Sequence, residues 1–223
     1  MDKTNFDNYA KRYDQLLQEQ LHFFADNNYF AEYKINLVKQ LVLKSPRNIL
    51  EYGCGIGRNI PFLKQTFSQA TIAGFDISVK SLELAHENNP DIEFYSSITA
   101  NTPTFDLIFL AGVMHHISPE LRAEVCQQLF SLLNKGGELF IFEHNPVNPV
   151  TRYMVNHCEF DEDAVLLYPK ELKQLLVTHH FHLQQLRYTL FFPNFLQKLR
   201  FLERHMGWLP LGGQYVIHAV KPV

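Results

Sequence analysis

The chain has 223 residues, of which 46% are hydrophobic and 19% charged, a length and composition that one globular α/β domain accommodates. Its formal net charge of −3 gives no general basic field for nucleic acid, and its longest apolar run, 107–114, is far shorter than a transmembrane helix. Three cysteines without metal-ligand spacing, and an N-terminus without an apolar signal segment, predict a cytoplasmic protein.

Two helices are predicted before the first strand, at 5–20 and 28–43, because their apolar residues recur at helical spacing. Ser45-Pro46 ends this pair, since the residue before a proline disfavours helix. Tyr13 lies on the apolar stripe of the first helix. Burial preferences favour packing for this side chain, although it could also reach a bound ligand.

The stretch from Asn48 to Arg58 begins as a short apolar strand and continues into a turn. Its conspicuous residues are an acid and three alternating glycines: Glu51, Gly53, Gly55 and Gly57. A strand, a glycine-rich turn and a following helix form the first half of a nucleotide-binding βαβ unit, in which glycines let a ligand approach the backbone. The dinucleotide fingerprint G-x-G-x-x-G needs a glycine at position 58, so Arg58 disfavours a nicotinamide-dependent dehydrogenase.

A second strand, predicted at 71–75, ends at Asp76, 19 positions after Gly57. An acid about 20 residues beyond the turn is placed to accept the hydrogen bonds of a ribose diol. The alternative is that Asp76 caps the next helix, predicted at 79–87. Because Ser78 provides that cap unaided, the ribose role is favoured.

Three further strands are predicted at 92–95, 105–110 and 138–142. The run 105–110 is apolar almost throughout, as expected of a central parallel strand that is buried on both faces. The helix between the last two strands is predicted to begin after Ser118 as its N-cap and to close at Gly136-Gly137.

These motifs resemble class I S-adenosylmethionine-dependent methyltransferases over residues 48–145. The resemblance rests on the acid and glycines of the first turn, on Asp76, and on the fourth strand, capped helix, Lys-Gly-Gly turn and fifth strand. It implies one Rossmann-like α/β domain, 1–223, with a doubly wound, mostly parallel seven-stranded sheet, a terminal antiparallel hairpin and an N-terminal helical cap at 1–45. Residues 46–145 are then the cofactor-binding core.

The resemblance implies S-adenosyl-L-methionine as the cofactor. The residues expected to bind it lie at the strand ends and in the cap: Glu51, Gly53, Cys54, Gly55, Gly57, Asp76, Ile77, Ser97, Ala111 and Tyr13. Glu51 is expected to offset the positive charge of the cofactor, and its alternative role is to hold backbone N–H groups of the turn. Ser97 stands where the family often has an acid that contacts the adenine. Cys54 is interpreted as a small apolar residue, because nothing near it in sequence activates a thiolate.

Four candidate general bases follow the fourth and fifth strands, whose carboxyl ends meet at one rim of the sheet: His115, His116, Glu143 and His144. Histidine suits proton transfer because its unperturbed pKa is about 6.5, although each of these residues could instead be packed or solvent-facing. No metal site is expected, because adjacent residues in an extended chain point to opposite faces and would keep His115 and His116 apart.

Residues 144–168 break the α/β rhythm before a helix that starts at Tyr168-Pro169. The segment leaves the rim, is long for a loop and contains apolar anchors, so it is predicted to form an acceptor-binding lid. For the acids Asp161-Glu162-Asp163, the competing interpretation is a cap on a short helix through Leu167.

Residues 193–207 lie between the two final predicted strands, 182–192 and 214–221. They are predicted to be helical and amphipathic. The apolar face of this insert is expected to meet the core or a dimer partner, and the alternative is a membrane surface that carries a lipid-linked acceptor.

The expected function is methyl transfer to a small-molecule or glycan acceptor, at oxygen in preference to nitrogen or carbon. The alternative is a nucleoside-binding regulatory or assembly protein without turnover, ahead of a dehydrogenase. A nucleic-acid methyltransferase is disfavoured by the net charge and by the lack of an Asn-Pro-Pro-Tyr-type motif after the fourth strand. A peripheral membrane contact, and a monomeric or homodimeric state, stay open at this point.

Overall fold

Helices and strands alternate along the chain from Tyr29 to Tyr95, and the order is less regular after that. The computed structural model describes residues 28–158 and 161–223, so the first predicted helix, with Tyr13, lies outside the described residues. The elements are α1 (Tyr29–Leu41), β1 (Asn48–Tyr52), α2 (Ile60–Thr66), β2 (Thr71–Phe75), α3 (Val79–Asn88), β3 (Glu93–Tyr95), β4 (Phe105–Ala111), α4 (Arg122–Leu132), β5 (Leu133–His144), α5 (Pro149–Asn156), α6 (Pro169–Thr178), β6 (His182–Thr189) and β7 (Gln214–Val220). Two 3-10 turns, Met114–His116 and Pro119–Leu121, precede α4, and a 3-10 segment, Asn194–His205, joins β6 to β7.

The seven strands form one sheet in the order β3-β2-β1-β4-β5-β7-β6. Strands β1 to β5 are parallel to one another, whereas β7 pairs antiparallel with both β5 and β6. The strand order reverses between β1 and β4, and ligands of open α/β sheets bind at such a switch point, outside the carboxyl ends of the strands. The predicted Rossmann-like sheet with its antiparallel end is confirmed.

Two hydrophobic clusters cover the two faces of this sheet, one under α1 and α2 and the other under α4 and α6. Strand β4 contributes to both, because its successive side chains point to opposite faces. Leu107 and Phe109 enter the first cluster, and Ile108 and Leu110 enter the second. This burial on both faces explains the continuous apolar run in the sequence.

The segment 144–168 is partly helical, because it contains α5. Asn148 caps this helix, and its side-chain oxygen accepts hydrogen bonds from Val150 N at 2.9 Å and Thr151 N at 3.0 Å. The short helix predicted through Leu167 is wrong, since residues 164–168, which the structure describes, have no helical conformation. The cap interpretation of Asp161 and its neighbours is wrong for the same reason.

The end of α4 and the form of the insert after β6 also differ from the sequence-based prediction. Helix α4 ends at Leu132, and the chain enters β5 at once because Leu133 pairs with Phe105 across a register shift. The two glycines predicted to close the helix therefore lie within the strand. The insert after β6 is a 3-10 segment interrupted by the non-helical residue Leu196, which makes it a kinked helix.

The carboxylate of Glu138 connects the end of α1 to the centre of the sheet. Glu138 is buried in β5, and its oxygens accept hydrogen bonds from Leu43 N at 3.0 Å and Lys44 N at 3.2 Å. Its Oε2 atom also lies 2.7 Å from His218 Nε2 in β7. One side chain therefore satisfies donors from two distant parts of the chain.

Replacing Glu138 with alanine is expected to lower the free energy of unfolding by roughly 2–4 kcal/mol, because these buried donors lose their acceptor. Urea unfolding followed by circular dichroism measures the change. Glu83→Ala, on the exposed side of α3, is the matched control and should change the free energy by less than about 0.5 kcal/mol. Similar losses in both variants would show that Glu138 has no bracing role.

Candidate active site

The glycine-rich turn follows β1 and uses all three glycines in the left-handed region, with φ of +76° at Gly53, +52° at Gly55 and +77° at Gly57. A Cβ atom added at Gly53 would lie 2.5 Å from Val113 Cγ2, and one added at Gly57 would lie 2.8 Å from Asn89 Nδ2. At Gly55 an added Cβ meets no atom within 4 Å. Gly53 and Gly57 are therefore needed for packing, whereas Gly55 faces open space from which a ligand can approach.

Asp76, at the end of β2, braces this turn. Its Oδ2 atom accepts a hydrogen bond from Gly55 N at 2.8 Å, and its Oδ1 atom accepts one from Ser78 N at 2.9 Å. The cap of α3 is Ser78, whose hydroxyl oxygen accepts a hydrogen bond from Ser81 N at 3.1 Å, as predicted. Asp76 is thus not the helix cap, and its carboxylate lies beside the open glycine.

Glu51 is buried at the end of β1 with only one of its two oxygens satisfied. Oε1 accepts a hydrogen bond from Asn59 Nδ2 at 2.5 Å, whereas Oε2 is buried and has no hydrogen-bond partner among the described residues. Burial raises the pKa of Glu51 to about 8, although Asn59 and Lys34 oppose the shift. An unsatisfied buried oxygen beside the turn fits a cationic donor such as the ammonium group of S-adenosylmethionine, whose positive charge would favour the ionised form of Glu51.

The alternative role of Glu51, as a holder of backbone N–H groups in the turn, is not seen among the described residues. The amides of Gly53 and Cys54 donate to Phe75 O instead, at 2.7 and 2.9 Å. This pairing attaches the turn to the end of β2 and leaves Glu51 for a side-chain donor.

The remaining predicted cofactor residues differ in their exposure. Cys54 is buried, and burial raises the pKa of its thiol, which agrees with the apolar interpretation. Ile77 and Ser97 are exposed at the strand ends, and Ala111 lines the cavity described below.

Glu143, the last buried residue of β5, holds the chain that follows β4. Its Oε1 atom accepts hydrogen bonds from Val113 N at 3.1 Å and Met114 N at 2.7 Å. Its Oε2 atom lies 2.6 Å from Nδ1 of the buried His115. The carboxylate therefore orients the imidazole of His115 and binds the amides at the start of the 3-10 turn that carries it.

The structure brings three histidines and one aspartate together at the rim. The ring centroids of His115 and His116 are 4.1 Å apart, and that of His144 is 4.9 Å from His115. Asp161 Oδ1 lies 3.5 Å from His115 Nε2 and 3.4 Å from His116 Nε2. The prediction that His115 and His116 diverge is wrong, because they follow each other in a 3-10 turn and not in an extended chain.

Burial and mutual charge set the protonation of this group. Burial would lower the pKa of His115, but the carboxylates of Glu143 and Asp161 outweigh it and raise the pKa to about 9. Burial, with the charge on His115, lowers the pKa of His116 to about 3 and that of His144 to about 4. The histidines lower the pKa of Asp161 to about 2 against the opposing effect of burial. At neutral pH and with no metal bound, His116 and His144 are therefore neutral beside one charged imidazole.

The chain around Asp161 is attached to the histidine turn by backbone and arginine contacts. Val165 N donates to His115 O at 2.8 Å. Arg122 Nε donates to Ile117 O at 3.0 Å, and its Nη2 atom donates to Val165 O at 2.5 Å. These contacts place Asp161 opposite two histidines that are more than 40 residues earlier in the chain.

A cavity of about 350 Å³ opens at this rim. Ala111 and Gly112, at the switch point of the sheet, line part of it. The three histidines and Asp161 also line it, and we call their part of the cavity its floor. Residues of the segment 144–168 and of 190–193 form the other walls. Lys34 of α1 also lines it, and burial lowers the pKa of this lysine to about 8.

Sequence reasoning missed the parts of the site that arrive from distant elements. Asn59 carried a signal, because an amide shortly after the glycine-rich turn is within reach of Glu51. Lys34 carried none, since its place depends on how α1 packs against the sheet. Asp161 lies in the segment predicted to bind the acceptor, but its contact with the two histidines was not predicted, because it depends on how that segment packs.

The insert after β6 adjoins the cavity, because its Arg200 side chain is among the lining residues. The guanidinium of Arg200 lies 3.8 Å from the ring centroid of Tyr29, and Glu203 Oε1 accepts hydrogen bonds from Phe191 N and Phe192 N, both at 3.1 Å. Other side chains of this region, including Phe201 and Trp208, are well exposed. Within the described residues, no helix combines the length and the hydrophobicity needed to cross a membrane.

A family model described as a methyltransferase domain matches residues 9–186 of the chain. A demethylmenaquinone methyltransferase of Thermotoga maritima is 30% identical over 147 residues, which are 64% of this chain and 61% of that protein. A trans-aconitate 2-methyltransferase of Rhodopseudomonas palustris is 26% identical over 129 residues, 56% of this chain and 50% of that protein. The matches thus span about half to three fifths of the length of these relatives.

Solved structures share the fold over nearly the whole chain. A SAM-dependent methyltransferase from Archaeoglobus fulgidus has a TM-score of 0.71 at 15% identity, with 94% of this chain and 100% of that chain covered. The magnesium protoporphyrin IX methyltransferase of Synechocystis, solved with bound SAM, has a TM-score of 0.63 at 16% identity, with 99% and 97% covered. Because the family model matches well over half of its residues, the chain belongs to the class I S-adenosylmethionine-dependent methyltransferases, whose cofactor is S-adenosylmethionine.

Proposed function

We propose that the protein transfers the methyl group of S-adenosylmethionine to an oxygen atom of a small hydroxylated acceptor or a glycan. The observation that carries the proposal is the cavity of about 350 Å³ that joins the switch point of the sheet to three histidines. This volume is at the low end of small-molecule sites, which range over about 300–1,000 Å³. A larger acceptor would have to present a terminal group there.

The cofactor side of the proposed site uses the first turn and the ends of β1 and β2. Glu51 would bind the ammonium group through its unsatisfied Oε2 atom. Asp76 would accept the ribose hydroxyls, and because a carboxylate offers about four acceptor sites, bracing the turn is compatible with that role. Gly55 leaves the space that the cofactor needs.

The acceptor side must align the oxygen and take its proton. When bound, S-adenosylmethionine supplies a methyl group on a sulfonium, so the new C–O bond forms as the C–S bond breaks. We assign the hydroxyl proton to the imidazole of His144, which lines the cavity at the end of β5. Glu143 acts through His115 and is a positioning residue, because its oxygens bind Val113 N, Met114 N and His115.

The segment 144–168, predicted as a lid, contains a helix, and we propose that it forms a wall of the acceptor site. Helix α5 presents Thr151, Met154 and Val155 to the cavity, and Asp161 closes its floor. Both apolar and polar side chains thus line the space that an acceptor would occupy, which suits a molecule with both kinds of surface.

A nucleoside-binding protein without turnover is the second candidate, since the cofactor side alone would serve it. The pairing of that side with a histidine-lined cavity favours the enzyme. One relative is named as a tRNA U34 carboxymethyltransferase, but a net charge of −3 disfavours a nucleic-acid acceptor here.

Incubation with methyl-deuterated cofactor and a metabolite extract tests the proposal by mass spectrometry. Wild-type protein should produce a labelled acceptor, and His144→Asn should lower kcat by about 10²–10⁴-fold with cofactor affinity unchanged, because only proton transfer is impaired. His182→Asn, at an exposed position of β6, is the matched control. Cofactor binding without any labelled product in wild-type protein would favour the non-catalytic alternative.

Gly55→Leu is expected to abolish binding of S-adenosylmethionine in calorimetry, because the side chain would enter the space reserved for the cofactor. Gly136→Leu is the matched control, since its φ is +75° and an added Cβ there meets only Val223 Cγ2 at 3.7 Å, far from the turn. Both variants should lose about 1–2 kcal/mol of stability from the left-handed conformation. Unchanged cofactor affinity in Gly55→Leu would place the cofactor elsewhere.

Met154→Trp is expected to lower kcat/KM for the acceptor by roughly tenfold or more, because the larger ring displaces the acceptor from its reactive position. Cofactor affinity should not change. Arg152→Trp, on the exposed side of the same helix, should leave both quantities at the wild-type level. A parallel loss of cofactor affinity in Met154→Trp would mean that α5 supports the fold and not the acceptor.

A further inference from the structure

Asp161 stands at nearly equal distances from two imidazole nitrogens. Its Oδ1 atom is 3.5 Å from His115 Nε2 and 3.4 Å from His116 Nε2. A hydrogen bond between a charged imidazole and a carboxylate is shorter, about 2.7–2.9 Å, and selects one donor. The other ring nitrogen of His115 does make such a short contact, because Nδ1 is 2.6 Å from Glu143 Oε2.

The two distances from Asp161 Oδ1 to the imidazole nitrogens are close to the ligand spacing around a tetrahedral metal ion. Zn²⁺ binds imidazole nitrogen and carboxylate oxygen at about 2.0–2.2 Å, which puts neighbouring ligand atoms about 3.3 Å apart. Ligand atoms of His115, His116 and Asp161 all lie within 4.8 Å of one another. We propose that these three residues bind one divalent transition-metal ion, with Zn²⁺ as the preferred ion, at the floor of the cavity.

The surroundings of His115 are those of a metal ligand. Metal-binding histidines almost always donate their second ring nitrogen to a carboxylate or a carbonyl, which fixes the ring and its tautomer. Glu143 Oε2 makes that contact with His115 Nδ1, so Nε2 is the atom turned toward His116 and Asp161. The chain that carries the third ligand, Asp161, is also held near the histidines. Four residues after Asp161, Val165 N donates a hydrogen bond to His115 O, and Arg122 Nη2 donates one to Val165 O.

The donor set indicates the kind of ion and its use. Two imidazoles and one carboxylate suit Zn²⁺, and three protein ligands leave a fourth position, as in catalytic zinc sites. The negative charges of Asp161 and Glu143 balance the charge of a divalent ion. In a role that rests on the proposed function, the ion would lower the pKa of the acceptor hydroxyl, and His144 would take the proton.

Metal uptake is tested on the full chain without acceptor. Protein stripped with a chelator is titrated with Zn²⁺ in calorimetry, and bound metal is counted by mass spectrometry after dialysis. Wild-type protein should retain about one ion per chain. His116→Ala and Asp161→Asn should each weaken Zn²⁺ affinity by more than about 100-fold, since losing a ligand costs more than losing a supporting hydrogen bond. Co²⁺ should give the intense visible absorption of a four-coordinate site, and both variants should lose it.

Two matched controls separate the site from adventitious binding to the 11 histidines of the chain. His182→Ala removes an exposed histidine, and Glu162→Gln removes the exposed acid beside Asp161; both should keep wild-type affinity. Asp161→Cys, which exchanges one zinc ligand for another, should restore the Zn²⁺ affinity that Asp161→Asn weakens. Circular dichroism and cofactor calorimetry on each variant exclude loss of fold.

The proposal is overturned if wild-type protein binds no Zn²⁺ or Co²⁺, or if His116→Ala and Asp161→Asn bind them as tightly as wild type. A charged His115 held between Glu143 and Asp161 would then account for the cluster. Metal uptake with no methyl transfer would reject the proposed function and keep the metal site. Methyl transfer by metal-free protein would reject the catalytic role of the ion.

Discussion

The buried carboxylate of Glu143 is the interaction on which the candidate site depends. A carboxylate removed from water is costly unless hydrogen bonds satisfy its oxygens. The donors here are Val113 N, Met114 N and His115 Nδ1, all from the chain that follows β4. These hydrogen bonds hold the 3-10 turn against the end of β5 and orient the imidazole of His115 at the same time. The stability of the strand end and the geometry of the site are therefore consequences of the same bonds.

Two strands of the sheet end in a buried glutamate, and the structure distinguishes their roles by how each is satisfied. At Glu143, the positive charge on His115 overcomes the effect of burial and holds the pKa below its usual value. At Glu51, burial dominates and raises the pKa to about 8, while Oε2 has no partner among the described residues. The satisfied carboxylate of Glu143 positions other groups, whereas Glu51 would become ionised if a cationic ligand bound beside it. The sequence presents both only as an acid after an apolar run.

The features that could be predicted from the sequence are those determined by local patterns of residues. Strand β2 and the core of β4 have the expected bounds, because alternation and burial leave a direct imprint on residue type. The cap of α3 at Ser78 was predictable for the same reason. The convergence of His115 with His116 was not, because it depends on a 3-10 turn that Glu143 imposes from 28 residues away. The place of Asp161 was equally hidden, since it follows from backbone contacts between Val165 and His115.

The proposed cofactor side of the site depends on local contacts, whereas the proposed acceptor side depends on distant ones. The proposed cofactor half consists of residues 51–76, with a glycine-rich turn and nearby contacts, so one motif predicts it. The proposed acceptor half is assembled from α1, the turn after β4, the end of β5, α5 and residues 190–193. Relatives named for trans-aconitate and for demethylmenaquinone share the fold family but differ in what they methylate. A cavity whose walls come from distant segments can change its shape without disturbing the glycine-rich turn. The surroundings of His115, His116 and Asp161 therefore depend on how α1 and the segments after β4 and β5 pack together, which no single motif encodes.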